Sequence, residues 1–198
     1  MEYKIKHVTT RRELDDTLAF DKKVFGLASE RHSPAYSREK WLERMKTHGD
    51  LMLYAESGGE VIGIVFGRVE NGSSVTVGPV AVDERFRKRG IARDLMLLLE
   101  KRALGHGIRH LMLGAVENAE GFYQKLGYSG NLLIQSEKHS IEELLSLNDK
   151  YPVKGTRVHD GTINQVYIDL PIADREFRRK YEAELPGCNT TMVFEKTI

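Results

Sequence analysis

The chain switches between two hydrophobic periodicities, and the switches mark its elements. Residues 3–8 (YKIKHV) alternate apolar and charged positions, the signature of a half-buried strand. Thr10 and Glu13 stand at capping-box spacing. Leu14, Leu18, Phe20, Val24 and Phe25 are the inward candidates of the helix that follows. Residues 26–37 (GLASERHSPAYS) read as a loop, and Ser37 is placed to cap a second helix through Trp41, Leu42 and Met45. Three apolar runs then follow, at 51–57, 61–69 and 75–82. Gly58-Gly59 and Asn71-Gly72 separate them as hairpin turns. A long helix is predicted over 90–106, with Ile91, Leu95, Leu98, Leu99 and Arg102 on one face. Its stretch 95–99 is apolar on every side, which predicts deep burial, and Gly105 and Gly107 stop it. Residues 110–116 read as a buried strand. Residues 120–126 form a short helix that ends at Gly127.

Beyond about residue 131 the pattern reads strand, helix, strand, strand, helix, strand, at 132–136, 141–147, 153–159, 163–170, 173–185 and 191–196. Ser140 and Glu143 have capping-box spacing, and Asp160-Gly161 is a hairpin turn. This βαββαβ order is that of a small ferredoxin-like module. The alternative is that some of these strands extend the main sheet. The expected division is a core at 1–130 and an α+β extension at 131–198. Three roles are open to the extension: completing the sheet, covering a substrate cleft, or building a homodimer interface.

Composition narrows the function classes. A net charge of +1 and a pI near 7.9 give no global footprint for nucleic acid. The longest purely apolar run, 95–99, is far short of the ~20 residues of a membrane span. The opening MEYKIKHV lacks the apolar stretch of a secretion signal. Cys188 is the sole cysteine, so no internal disulfide forms, and a cytoplasmic address is expected. His106 and His110 flank a turn without metal-ligand spacing, and no metal site is expected.

The chemistry concentrates in residues 78–97 (GPVAVDERFRKRGIARDLML). A strand ends at Val82, a cation-rich connection follows, and a helix opens at Gly90. The first turn of a helix leaves N–H groups unpaired and its dipole favours an anion. Glycine allows close approach to the backbone, and the small Ala92 keeps that approach open. Arg87, Lys88, Arg89, Gly90, Ile91 and Ala92 are therefore suited to hold a pyrophosphate. The competing reading is a charged surface turn before a buried helix. The loop is neither a Walker A sequence nor a dinucleotide fingerprint.

Arg87-x-x-Gly90-x-Ala92 resembles the Q/R-x-x-G-x-G/A signature of the GNAT superfamily of N-acetyltransferases, and the lead-in Gly78-Pro79-Val80-Ala81-Val82 is similar to that family's preceding strand. Residues 118–128 (NAEGFYQKLGY) resemble its later block, an asparagine followed by Tyr-x-x-x-Gly-Phe/Tyr. In element order the likeness covers residues 3–130. It implies an α/β (α+β) fold with a mixed, mostly antiparallel sheet flanked by helices, and acetyl-CoA as cosubstrate. It further implies that the main chain of Val80 and Val82 bonds the pantetheine arm, that residues 87–92 hold the pyrophosphate, and that Asn118 contacts the cofactor. Tyr123 matches the tyrosine that protonates the departing thiolate. Simpler roles compete: Tyr123 as a core or hinge aromatic beside Phe122, Asn118 as a helix cap. Arg85, Arg87, Lys88 and Arg89 either hold a terminal phosphate or form a solvated loop.

The implied reaction is direct attack of a primary amine on the thioester, the amine belonging to a small molecule or to a protein or peptide. Some family members carry a general base on the strand before the signature, yet residues 73–82 contain no Asp, Glu or His. A lysine amine of pKa ~10.4 is neutral in only about one part in 2,500 at pH 7, whereas an α-amine near 7.8 is about one-seventh neutral. A site without its own base therefore favours a low-pKa amine, or a relay to a distant acid. Glu117, Glu70, Glu30 and His32 are candidates for that acid, each with a solvated side chain as the plainer reading. A covalent route through Cys188 would need an adjacent base, and none is evident. The charged face of residues 174–184 reads as exposed. Two other function classes compete: a non-catalytic acyl-CoA-binding or sensing protein, and an interaction protein acting through its C-terminal module.

Overall fold

A computed structural model of the chain describes residues 2–26 and 36–198. Glu30 and His32 lie outside the described residues. The chain divides into two compact units. The first runs to Leu111 and takes in Thr197–Ile198; the second is Met112–Lys196.

In the first unit the elements follow in the expected order: β1 (Lys4–His7), α1 (Arg11–Phe25), α2 (Arg38–His48), β2 (Met52–Ser57), β3 (Glu60–Glu70), β4 (Ser74–Val82) and α3 (Ile91–Gly105). The strands pair antiparallel as β1-β2-β3-β4. Gly58 and Gly59 both have positive φ and close a two-residue hairpin, with Ser57 opposite Glu60. The Thr10 hydroxyl accepts from the Glu13 N–H, and the Glu13 carboxylate accepts from the Thr10 N–H, completing the capping box. The Tyr54 hydroxyl donates to the same carboxylate at 2.8 Å and ties the start of α1 to β2. Ser37 caps α2 by accepting from the Lys40 N–H.

β3 organises both faces of this sheet because its side chains alternate. Ile64 and Phe66 face α1 and α2, in a buried cluster with Leu14, Phe20, Trp41, Met52 and Tyr54. Trp41 and Phe66 meet edge to face at 5.0 Å. Gly63 and Gly67 lie on the opposite face beneath α3. A Cβ on Gly67 would stand 3.0 Å from Val75 Cγ1 and 3.1 Å from Leu99 Cδ1; one on Gly63 would stand 3.1 Å from Ile91 Cγ2. α3 lies this close to β3 because both positions lack side chains. Ile91, Leu95, Met96 and Leu99 are buried, but Leu97 is 40% exposed, so the apolar stretch does not bury all round. The helix packs on one side only.

β5 (His110–Ala115) leads from the first unit into the second; where a buried strand is expected, Leu111, Leu113 and Ala115 are buried and alternate with more exposed positions. α4 (Glu120–Lys125), β6 (Ser129–Ser136), α5 (Ile141–Ser146), β7 (Val153–His159), β8 (Ile163–Asp169), α6 (Arg175–Glu184) and β9 (Asn189–Thr197) follow. The lateral order is β5-β9-β6-β8-β7, with β9-β6, β6-β8 and β8-β7 all antiparallel. Counted from β6, the last four strands lie in the order fourth, first, third, second, with α5 and α6 in the two crossovers. This is a split β-α-β topology. β6 begins at Ser129, so a cut after residue 130 falls inside a strand. β9 inserts between β5 and β6, which makes residues 137–188 an excursion that leaves β6 and returns to its neighbour.

Gly67→Ala should overpack the α3–β3 contact and lower stability by about 1–3 kcal/mol. Urea unfolding would read this as a fall in midpoint at unchanged slope.

Candidate functional site

The end of β4 departs from a regular ladder. Val80 pairs with Val65 and Val77 with Gly67, so Gly78 and Pro79 together face the single residue Phe66. This is a β-bulge on β4, and its Gly78–Pro79 bond is cis. Past the bulge the Asp83 N–H donates to the Ile62 carbonyl at 3.0 Å. Antiparallel bonding alternates along a strand, so the peptide groups of Val80 and Val82 face the edge of β4 away from β3. The Val82 carbonyl accepts from Arg87 Nε at 3.2 Å.

Asp83 anchors the connection that follows. Its carboxylate is 5% exposed and accepts from the Arg85 N–H, from Arg85 Nε and Nη2, and from Lys23 Nζ of α1, each at 3.0 Å. The Arg85 hydrogen bonds hold the carboxyl far below the usual range; burial opposes them, and Lys23 adds to them. Arg85 thus separates from the cationic cluster in which the sequence places it, because it serves a buried internal partner. Arg87, Lys88 and Arg89 remain exposed, with the Arg89 guanidinium 5.9 Å from the Phe86 ring centroid.

Lys88 (φ 61°) and Gly90 (φ 85°) both occupy the left-handed region, and the backbone turns sharply into α3. Gly90 is the N-cap residue and no side chain caps this end. The first helical bond runs from the Asp94 N–H to the Gly90 carbonyl at 2.9 Å, so the N–H groups of Ile91, Ala92 and Arg93 have no acceptor within the helix. A Cβ on Gly90 would meet nothing within 4 Å, so the approach to these donors is open. Asp94 would add a negative charge to the first turn, but its carboxylate accepts from the Tyr3 hydroxyl at 2.5 Å. That bond, with burial, pushes the Tyr3 phenol up to about 12. Main-chain donors and exposed cations thus lie in one short connection, a combination that suits an anion.

Asn118 and Tyr123 belong to the second unit. Asn118 is exposed in a 3-10 turn, Glu117–Ala119. The N-cap residue of α4 is Ala119 and no side chain caps that helix, so the capping reading of Asn118 falls away. Tyr123 is 6% exposed on α4, with ring centroids of Phe122 at 5.1 Å, Phe194 at 5.9 Å and Tyr128 at 6.1 Å. Burial pushes its phenol up to about 12. Of the distant acids, Glu70 is paired with Arg68 and Glu117 with Arg175. His106 Nε2 lies 2.9 Å from Asp50 Oδ2 at the far end of α3. Burial raises the Cys188 thiol. Among the described residues no group of three His, Cys, Asp or Glu could hold a metal ion, and no helix is long and apolar enough to cross a membrane.

One feature of the second unit has no signal in the sequence. Arg178, on the helix face expected to be solvated, reaches Glu120 Oε1 at 3.2 Å, with side chains only 18% and 9% exposed. Nothing in the local pattern distinguishes Arg178 from its neighbours Arg175 and Arg179.

A family model described as "Acetyltransferase (GNAT) family" matches residues 14–128, which include β4, the Arg87–Ala92 connection, Asn118 and Tyr123. The chain is similar in structure to the PaiA N-acetyltransferase of Thermoplasma acidophilum, solved with coenzyme A (16% identity, TM-score 0.52, 86% of this chain and 100% of that one). It is similar also to an N-acetyltransferase of Staphylococcus aureus Mu50 (17% identity, TM-score 0.53, 86% and 99%). A Pyrococcus horikoshii protein matches 70% of this chain but only 48% of its own length (17% identity, TM-score 0.51). At these identities the likeness establishes the fold.

The buried Tyr123 phenol links stability to pH. The folded phenol ionises near 12 and the unfolded one near 10, so its contribution is complete below pH 10 and is lost as pH rises through about 12. Urea midpoints measured from pH 9 to 12 should fall less steeply in Tyr123→Phe than in the parent protein.

Proposed function

Because the chain belongs to the GNAT acetyltransferase family, whose model spans more than half of it, we propose that it moves an acetyl group from acetyl-CoA to a primary amine by direct attack. The observation that carries this reading is the uncapped start of α3 behind Gly90, inside the matched region. Its donors fit a pyrophosphate: Ile91, Ala92 and Arg93 supply N–H groups, while Arg87, Lys88 and Arg89 supply charge. The peptide groups of Val80 and Val82, which face away from β3, are assigned to an extended amide arm such as pantetheine, and the exposed Asn118 side chain to a further contact. The acetyltransferase machinery is assigned to residues 1–130, with 131–198 as an extension.

The cosubstrate supplies an activated thioester; the chain supplies position and a proton. Attack by the neutral amine forms the C–N bond, collapse of the intermediate breaks the C–S bond, and the amine proton leaves to solvent. Negative charge passes from the carbonyl oxygen to the sulfur, where hydrogen-bond donors would stabilise it. Tyr123 is assigned the proton for the departing thiolate. Taken separately, a phenol near 12 and a thiol near 8.5 are ~3.5 units apart, or roughly 5 kcal/mol uphill. The burial that raises the phenol also raises a thiolate beside it, which narrows that gap. β4 carries no Asp, Glu or His, and Glu70 and Glu117 are engaged by arginines. An acceptor with a low-pKa amine, whether on a small molecule or at a protein terminus, suits such a site best.

Titration calorimetry with acetyl-CoA, and with free coenzyme A for comparison, tests the cofactor assignment, and thiol release over a panel of amines tests turnover. Gly90→Asp should abolish cofactor binding, because it sets a carboxylate against the pyrophosphate donors; normal affinity in the folded variant would sink the loop assignment. Tyr123→Phe should lower turnover far more than cofactor affinity, and an unchanged rate would remove its role as acid. Binding without turnover on any amine would favour an acyl-CoA sensor instead.

A further inference from the structure

The excursion over residues 137–188 is not needed to join its flanking strands. It leaves at the end of β6 and returns at the start of β9, where Gln135 and Asn189 stand opposite each other in the ladder. A tight turn would make that connection. The excursion must therefore be explained by what it touches, and three of its residues converge on α4 and the turn before it.

α4 has six residues and no side-chain cap at its start. A helix this short does not hold itself in water. Arg178 of α6 donates from Nη1 to Glu120 Oε1 in the first turn of α4. Its own position is set by Thr190, whose hydroxyl accepts from Arg178 Nε and whose carbonyl accepts from Nη2, both at 3.3 Å. The Thr190 hydroxyl in turn donates to Glu182 Oε1 at 2.7 Å. Arg175, also on α6, pairs with Glu117 just before α4. On the flank of α4, Gln124 Nε2 donates to the Pro171 carbonyl at 3.2 Å. That carbonyl comes close because β6 carries Gly130, where a Cβ would stand 3.0 Å from both Leu170 O and Pro171 O. The C-terminal end is tied from β9, with Lys196 Nζ donating to the Leu126 carbonyl at 2.8 Å.

We propose that residues 137–188 act as a clamp on α4, with Arg178 as the positioning residue that sets the helix carrying Tyr123. The Arg178–Glu120 bond is the part of the clamp with the most leverage. It is largely buried, so water does not replace it, and a carboxylate in the first turn of a helix suits the helix dipole. Tyr123 lies one turn beyond Glu120 on the same helix, so a shift at Glu120 moves the phenol with it. The catalytic meaning of the clamp rests on the proposed acid role of Tyr123, whereas its mechanical meaning does not.

The test uses the full chain and the double variant E120Q/R178M, which removes both charges and leaves no lone buried ion. Amide hydrogen exchange should accelerate at least tenfold at Leu126, Gly127 and Tyr128, whose N–H groups bond back into α4. Amides of β6 and β8 should be unchanged. In the thiol-release assay kcat should fall at least tenfold while acetyl-CoA affinity stays within twofold, and Arg178→Lys should recover part of the loss. Adding Tyr123→Phe to the double variant should cost little more, because a misplaced acid and a missing one are the same defect. Unchanged exchange at the three amides would overturn the clamp. Multiplying losses with Tyr123→Phe would overturn its positioning role. If Tyr123→Phe alone runs at the parent rate, the acid role fails, and the exchange data decide the clamp by themselves.

Discussion

The close packing of α3 on β3 is the constraint from which the candidate cofactor loop follows. Ile91, Leu95 and Leu99 lie over a strand face that has glycine at 63 and 67, and side chains there would intrude on the helix. Docked at this distance, α3 cannot slide or rotate without losing its apolar contacts. The place where the helix begins is thereby set, and with it the direction of the N–H groups that its first turn leaves unpaired. The bulge at Gly78 and Pro79 acts from the other side of the loop. It re-registers β4 so that the peptide groups of Val80 and Val82 face away from β3. A helix start and a strand edge form the candidate site because one short connection joins them.

That connection divides its charges by burial. Asp83 is the buried member, and Arg85 and Lys23 are drawn to it. An unpaired carboxylate there would be costly, so the pairing is compulsory and consumes one of the four cations in the cluster. Arg87, Lys88 and Arg89 are exposed, on the side from which a polyanion would approach. Asp94 is handled by a similar rule at lower burial, through the Tyr3 hydroxyl. Asp83 and Asp94 are thus both engaged by the protein's own donors.

α4 shows the opposite economy. It is too short to be stable by itself, and it carries a buried phenol on a hydrophobic face among Phe122, Tyr128 and Phe194. Its polar tethers come from α6, from the turn after β8 and from β9. Two of these belong to the excursion, so the C-terminal strands and helices are tied to the behaviour of one short helix. The protonation state of Tyr123 depends on the same packing, since burial alone raises it.

Element order was legible in the sequence because strand and helix periodicities, capping boxes and glycine turns are local. Thr10 with Glu13, Ser140 with Glu143, and Gly58-Gly59 each specify geometry within a few residues, and each forms as its spacing predicts. The Arg87–Ala92 connection was legible for the same reason: a helix start, a glycine and a run of cations are contiguous. The sequence by itself therefore determined the elements, their order and the chemical character of one loop. Tertiary structure decided which cations that loop keeps, since Arg85 has a buried carboxylate within reach, whereas Arg87 bonds the Val82 carbonyl. It decided that Leu97 faces outward, because α3 packs on one side. It also made a partner of Arg178, one arginine among several on α6, through Glu120, 58 positions earlier in the chain. Pairings between groups so distant in sequence depend on where the backbone carries each side chain, and no local pattern encodes that.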